Sequence, residues 1–518
     1  LEKASILLTP TAYDDGKILS VKPEDGTGDF DFTRNSSATR VNSQGLIEDM
    51  QILSGDLVTN GDFSQIGSEL VTNGDFATDS DWTKQTSWSI SGGAANYDFL
   101  SDAKYIRQTL LSGGFVAGKS YKINFEITSG TAYMYVSSNA AGLISLNTYS
   151  VGSYSIYVTA SASGSDLLIY GRNTSGTAFS INNVSVKEVG QDWTLESTNA
   201  SIGSSKLVCD NVIANTNIAI QNSIVPIQKK VKIQYTAIVN SGQFRVLLGS
   251  GGTSTPISTS GTYTFIETSG TGGILTLQAR YGGFDGSITN ISVIEITDDT
   301  NLPRIDYSPY SGAGSCGHWL FEPQSTNLIP YSEDFSQSNW IKQAAVILTP
   351  NQPSPDGGNN AYKVQGTIGS SYVLDGGFGS ITPQSRSIYM RAETNGVIYS
   401  LGDGQSKQIN VTTEWQRFEF QEISNSFYAV DFRGSGVTLD NVYIWGAQLE
   451  QLSYATSYIP TSGSTVTRLQ DIATNSGNAS LINSTEGILF ADMAALANSG
   501  NYRFISISDG TYNNRIFL

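Results

Sequence analysis

Histidine occurs once and cysteine twice in 518 residues. A single imidazole, His318, leaves no room for a His-rich metal centre, and a Ser-His-Asp triad would have to be built around it. It lies in Cys316-Gly317-His318-Trp319, beside an expected strand, where a structural or surface histidine accounts for it. Cys209 and Cys316 are far apart and lack CxxC spacing, which excludes a disulfide scaffold and leaves two ordinary buried thiols as the expectation. Charge is scarce as well: 14% of residues are charged, and 46 acids against 29 bases give a formal net charge of −17. Phosphate backbones demand clustered Lys and Arg, and no such stripe exists, so a nucleic-acid groove is excluded. No apolar run approaches the roughly 18 residues of a membrane span, so a soluble chain is expected. Residues 1–10 lack the basic start and long apolar stretch of a secretory signal. Helical periodicity is nearly missing; only residues 487–497 could hold a turn or two.

What is plentiful is glycine (53), tyrosine (26) and phenylalanine (21), set among Ser, Thr and Asn. Uncharged hydroxyl and amide side chains on β-branched, aromatic runs suit strands and turns. At roughly 150 residues per domain, three or four domains are expected. Repetition then organises the chain. Leu57-Val58-Thr59-Asn60-Gly61-Asp62-Phe63 recurs unchanged as Leu70-Val71-Thr72-Asn73-Gly74-Asp75-Phe76, running on into Ser80-Asp81-Trp82-Thr83. A related opening follows Leu328, with Asp334-Phe335 and Ser338-Asn339-Trp340. Three closing phrases match one another: Ile181-Asn182-Asn183-Val184, Ile288-Thr289-Asn290-Ile291 and Leu439-Asp440-Asn441-Val442. Each alternates as a half-buried final strand does, and short alternating runs with turn signals fill the intervals. The expected fold is all-β: tandem β-sandwich or jelly-roll modules.

The residues Asn73-Gly74-Asp75-Phe76, Trp82, Gln108, Gly118, Tyr121, Phe125 and Asn182-Asn183-Val184 resemble the carbohydrate-binding modules of the galactose-binding-like jelly-roll superfamily. The resemblance covers residues 57–189 well and 327–450 moderately; in 191–298 it rests on Trp193 and the closing strand. A second resemblance begins at Phe30-Asp31-Phe32-Thr33-Arg34-Asn35-Ser36-Ser37-Ala38-Thr39-Arg40-Val41-Asn42 and Gly45-Leu46-Ile47-Glu48, which look like the opening of tailed-bacteriophage virion and fibre proteins. There this phrase runs soon into Pro-Arg-hydrophobic-Asp-Tyr, found here only at Pro303-Arg304-Ile305-Asp306-Tyr307. Residues 1–52 and 299–326 are therefore expected to form one discontinuous N-terminal, virion-attachment-like β domain hosting an insertion. The remaining boundaries are 56–190 and 191–298 for two sandwiches and 327–456 for a third. Residues 455–468 resemble the linker before a concanavalin-A-like lectin sandwich, of which 465–518 would be an incomplete piece that more polypeptide or another chain completes.

These resemblances imply a virion structural protein of a tailed bacteriophage, a fibre, spike or capsid appendage on the particle exterior, binding host-surface or environmental glycans. Other virion proteins and further copies of the chain, three for a fibre, are the implied partners. Sugars dock on exposed aromatic rings flanked by polar side chains. Trp82 and Trp340 suit core plugs; Trp88, Tyr97, Tyr133, Tyr135, Tyr170 and Arg172 border turns and are the glycan-binding candidates, with packing as the alternative role. The jelly-roll relatives also hold one structural Ca²⁺ between opening loop and final strand, which points to Asp75 and Asp440, although the position of Asp440 is Asn182 and Thr289 in the other modules and turn chemistry alone selects Asn-Gly-Asp. No cofactor is required and no catalysis is expected: acids such as Asp14, Asp15, Asp79, Asp81, Asp298 and Asp299 sit in turns and accept backbone N–H groups. The alternatives are an architectural spacer, or the binding part of a glycan depolymerase whose catalytic domain lies beyond Leu518.

Overall fold

The computed structural model describes residues 3–308, 316–376, 378, 383–400, 407–421, 426–483, 485–494, 505–508 and 515–517. The fold is all-β, and the described strand pairs are antiparallel sheets and hairpins. The chain divides into two compact units, one of Leu1–Ile52 with Thr297–Leu518, the other of Leu53–Ile296.

The continuous unit holds two sandwiches. One layer of the first runs in the order Gly152–Thr159, Ser120–Ser129, Phe179–Val189, Ala94–Tyr97, Trp88–Ser91, with Ile66–Glu69 also paired to Phe179–Val189. Its second layer runs Gly142–Tyr149, Ala132–Ser138, Asp166–Gly171, Lys104–Thr109, Thr83–Lys84. Alternate residues of both layers, among them Tyr121, Ile123, Phe125, Met134, Val136 and Ile169, fill the core between them. The second sandwich is built on two long strands, Lys230–Ser250 and Thr271–Asp298, which pair along most of their length through four register shifts. Bulges of this kind bend a strand, so one chain segment serves both layers.

Its opening differs from the expected boundary at residue 56. Val58 and Phe63 are buried in the core of the second sandwich, against Trp193 and Ile291, not in the first. The indole N–H of Trp193 donates to the Asn60 carbonyl at 3.0 Å, as that of Trp82 donates to the Asn73 carbonyl at 3.1 Å. Phe63 lies 5.1 Å from Trp193, and Phe76 lies 5.1 Å from Trp82, between ring centroids. The two identical heptads thus open two different sandwiches, and the first sandwich is inserted between Phe63 and Trp193 of the second.

The discontinuous unit contains the third sandwich. Its layers are Ile341–Gln343, Tyr372–Gly376, Ser426–Asp431, Gly396–Ser400, Lys407–Val411 and Ile347–Gln352, Ala361–Gln365, Asn441–Glu450, Ser385–Arg391, Gln416–Gln421. Around it the N-terminal segment forms a small sheet, Tyr13–Asp14, Lys17–Ile18, Phe30–Thr33, whose last partner is Ile472–Thr474. Val466–Arg468 pairs with Ser325–Asn327. Residues 466–474, expected to lead into a separate C-terminal sandwich from residue 465, are instead strands of the host domain. Beyond them only the hairpin Ser506–Ser508 with Arg515–Phe517 is present among the described residues; Phe504, Asp509 and Gly510 lie outside them.

A buried ionic knot ties these distant segments. Arg34 contacts Asp471 at 3.1 Å, Arg304 contacts Asp471 at 2.5 Å and Glu322 at 2.8 Å, and Arg468 also pairs with Glu322. All five side chains are at most 1% exposed. Four separate parts of the sequence supply them, so the knot forms only when the host domain closes.

Candidate ligand-binding face of the inserted sandwich

Strand alternation decides which side chains of the layer Ala132–Ser138, Asp166–Gly171, Lys104–Thr109 face solvent. Ala132, Met134 and Val136 point into the core, so Tyr133, Tyr135 and Ser137 point out. On the neighbouring strands Ile169 and Ile106 are core, leaving Tyr170 and Tyr105 on the same outer face. The register places Tyr105 opposite Tyr170 and Tyr170 opposite Tyr135, making one row of three tyrosines across three strands. The Tyr135 and Tyr170 rings stack at 4.4 Å with 7° between planes, and Tyr105 meets Tyr170 edge-on at 5.2 Å. Side chains stand roughly perpendicular to a sheet, so stacked rings present their edges and hydroxyl groups outward.

One end of the row is polar. Arg172 grips Asp102 with two parallel hydrogen bonds, Nε at 2.8 Å and Nη2 at 3.0 Å, and the Asn173 N–H donates to the same carboxylate at 3.0 Å. The Arg172 backbone N–H donates to the Tyr133 carbonyl at 2.9 Å, which sets the arginine beside Tyr133. The Arg172 hydrogen bond, then that of Asn173, hold the Asp102 carboxyl below its ordinary value, and the same bond raises Arg172. Burial, helped by the adjoining phenol, raises Tyr135 and Tyr170, so both remain neutral hydroxyls that donate and accept. Arg107 and Asp166 form a looser pair at 3.7 Å. The face thus combines ring edges, four phenols and a fixed guanidinium–carboxylate fork, the groups that recognise hydroxyl-rich ligands by hydrogen bonds and CH contacts.

Of the residues expected to contact glycan, Tyr133, Tyr135, Tyr170 and Arg172 share this face. Trp88 and Tyr97 do not. Trp88 is 7% and Tyr97 1% exposed, both in the core against Phe179. The Trp88 indole donates to the Lys104 carbonyl at 2.9 Å and the Tyr97 hydroxyl to the Ser101 carbonyl at 2.5 Å, so each polar tip is satisfied internally. The reason is alternation: Trp88-Ser89-Ile90-Ser91 puts Trp88 with Ile90 inward. Tyr105 and Asp102 were not anticipated; the signal for Tyr105 was its alternation with Ile106 in Lys104–Thr109.

Asp75 is exposed and accepts the Ala77 N–H at 3.3 Å; Asp440 is exposed and accepts from the Asn441 side chain at 2.8 Å. Among the described residues no group of three or more His, Cys, Asp or Glu could hold a metal ion. His318 lies 3.5 Å from Asp306, and burial lowers its basicity against the pull of that carboxylate. Cys209 is buried, as expected, its thiol pushed up to about 12 by desolvation, whereas Cys316, also expected to be buried, is exposed.

No protein-family model matches the chain, and no curated protein matches it. Among solved structures, the N-terminal CBM22-1-CBM22-2 tandem domain of Paenibacillus barcinonensis Xyn10C is similar over 51% of this chain and 94% of its own, at 13% identity and a TM-score of 0.18. A Paenibacillus xanthan lyase is similar over 73% of this chain and 34% of its own, at 11% identity and a TM-score of 0.15. Overlaps of this size carry no argument about what the chain binds.

Proposed function

We propose that the chain is a glycan-binding structural protein whose inserted sandwich engages sugar through the row Tyr105, Tyr170, Tyr135 and the Arg172–Asp102 fork. The observation that carries this reading is the row itself: three tyrosines in register on an outer sheet face, with a charged pair fixed at one end. These rings lie on the side of the sheet away from the core, where cross-strand pairing alone stabilises by only about 0.2–1 kcal/mol per pair. The setting rests on the phage-like phrases. Residues 30–48, 303–307 and 320–328 belong to one discontinuous unit, and their charged members Arg34, Arg304 and Glu322 meet in its buried knot. We place the protein on the exterior of a tailed-phage particle, among other virion proteins and as several copies, where weak single sites gain avidity from effective concentration. It acts by binding, without catalysis or a required cofactor.

A printed array of bacterial capsule and lipopolysaccharide glycans, probed with the full chain multimerised on beads, tests this. Binding to at least one glycan, reduced in Tyr170→Ala, is expected, with no reducing ends released. Silence at every density would return the modules to architectural spacers, and sugar release would make the protein an enzyme.

A further inference from the structure

The second sandwich presents a different chemistry on its own outer sheet face. Asn217, Gln278 and Arg245 stand in one row, since Gln278 is opposite both Asn217 and Arg245. The Gln278 carbonyl oxygen accepts from Arg245 Nε at 2.9 Å and Nη2 at 2.7 Å, and its amide donates to Asn217 at 3.0 Å. Two residues along the same strand, Arg280 lies on the same face, its guanidinium 4.3 Å from the ring centre of Tyr281 and bonded to the Asn215 side chain. Tyr281 is 64% exposed.

Arg107, Arg172 and Arg433 each have a carboxylate partner. Among the described residues Arg245 and Arg280 have none within ion-pair distance; Glu196 reaches the row only through Asn217, at 3.0 Å. Adjacent like charges on one sheet face repel, and burial together with Arg280 lowers the basicity of Arg245. Two neighbouring guanidinia held by neutral amides, in a chain of net charge −17, are a local positive site in an acidic protein.

We infer that this face binds the anionic substituent of an acidic saccharide, a uronate carboxylate or a sulfate ester, with Arg280 and Arg245 donating charge-assisted hydrogen bonds and Tyr281 offering an apolar ring. The negative field of the whole chain opposes long polyanions, which favours a single acidic sugar within a glycan over nucleic acid. This site is separate from the tyrosine row and does not depend on it.

Calorimetric titration of the full chain with trigalacturonate, with a sulfated carrageenan tetrasaccharide and with neutral cellotetraose tests the assignment; the first two distinguish carboxylate from sulfate. Binding of one charged probe and not of cellotetraose is expected. Arg280→Gln should weaken it at least tenfold without changing the melting temperature, because the Asn217–Gln278–Arg245 row stays intact, while Arg280→Lys retains part of it and Tyr170→Ala leaves it unchanged. Failure of both charged probes, equal binding of the neutral one, or wild-type binding by Arg280→Gln would overturn the inference.

Discussion

Trp82, Trp193 and Trp340 each donate an indole N–H to a carbonyl of an opening loop and pack on a Phe of that loop, so one residue type has one job in three sandwiches. Trp88 joins them as a core residue. Trp88→Ala should therefore cost about 3–5 kcal/mol, as for other buried aromatics, measured by denaturant melts, whereas Tyr135→Ala should stay within about 1 kcal/mol. Turn proximity suggested the opposite for Trp88; the alternation of Trp88 and Ile90 with Ser89 and Ser91 carried the correct answer. Two buried carboxyls give opposite pH dependence. Burial alone would raise Glu322, but Arg468 and Arg304 hold it down to about 2 against an ordinary 4.5. Its folded form binds the proton less tightly than the unfolded chain, so its stabilisation is present above about 4.5 and is lost as pH falls toward 2. Burial pushes Glu333 up to about 7, with Asp356 and Asp49 adding to it against hydrogen bonds from Tyr458 and Asn360. There the folded form holds the proton more tightly, so that contribution is full below about 4.5 and disappears as pH rises through 7. Melting temperatures of Glu333→Gln should lack the decline that the wild type shows between pH 5 and 7.

At the scale of elements, the duplicated heptad marks a sandwich placed inside the opening loop of another. In both copies the glycine passes close beneath the final strand: a Cβ on Gly61 would lie 1.9 Å from the Ile291 carbonyl oxygen, and one on Gly74 1.9 Å from that of Val184. Gly74→Ala and Gly61→Ala should each destabilise their own sandwich, visible as a lowered melting temperature. Because Phe76 and Trp82 pack as Phe63 and Trp193 do, replacing residues 64–192 with the loop 77–81 should leave the second sandwich folded; circular dichroism and thermal melting of that deletion variant check it. The repeat was plain in the sequence, and so was Asp192-Trp193-Thr194 matching Asp81-Trp82-Thr83. Reading adjacent heptads as one opening hid the nesting, since only pairing shows that Leu57 donates its N–H to Val293 while Leu70 donates to Val186. The strand Ile472–Thr474 was invisible for a similar reason: its partner Phe30–Thr33 is some 440 residues away along the chain, and local pattern carries no register.

For the whole molecule, the fold class was legible because a composition of few charges, many glycines and abundant tyrosine came with short alternating runs, turn signals and almost no helical periodicity. Half-legible was the candidate site. Turn proximity picked out Tyr133, Tyr135, Tyr170 and Arg172, but the row exists only through the cross-strand register that adds Tyr105, and the fork only through Asp102, 70 residues from Arg172. A shallow face of this kind should bind a sugar with a Kd of about 0.1–1 mM, equivalent to about −4 to −5.5 kcal/mol. The most direct measurement is calorimetric titration of the best array glycan into the wild-type chain and into Tyr170→Ala, with the melting temperature of each. Affinity reduced at least tenfold by Tyr170→Ala at an unchanged melting temperature is the expected result; equal affinity in the two proteins would contradict the assignment of this face.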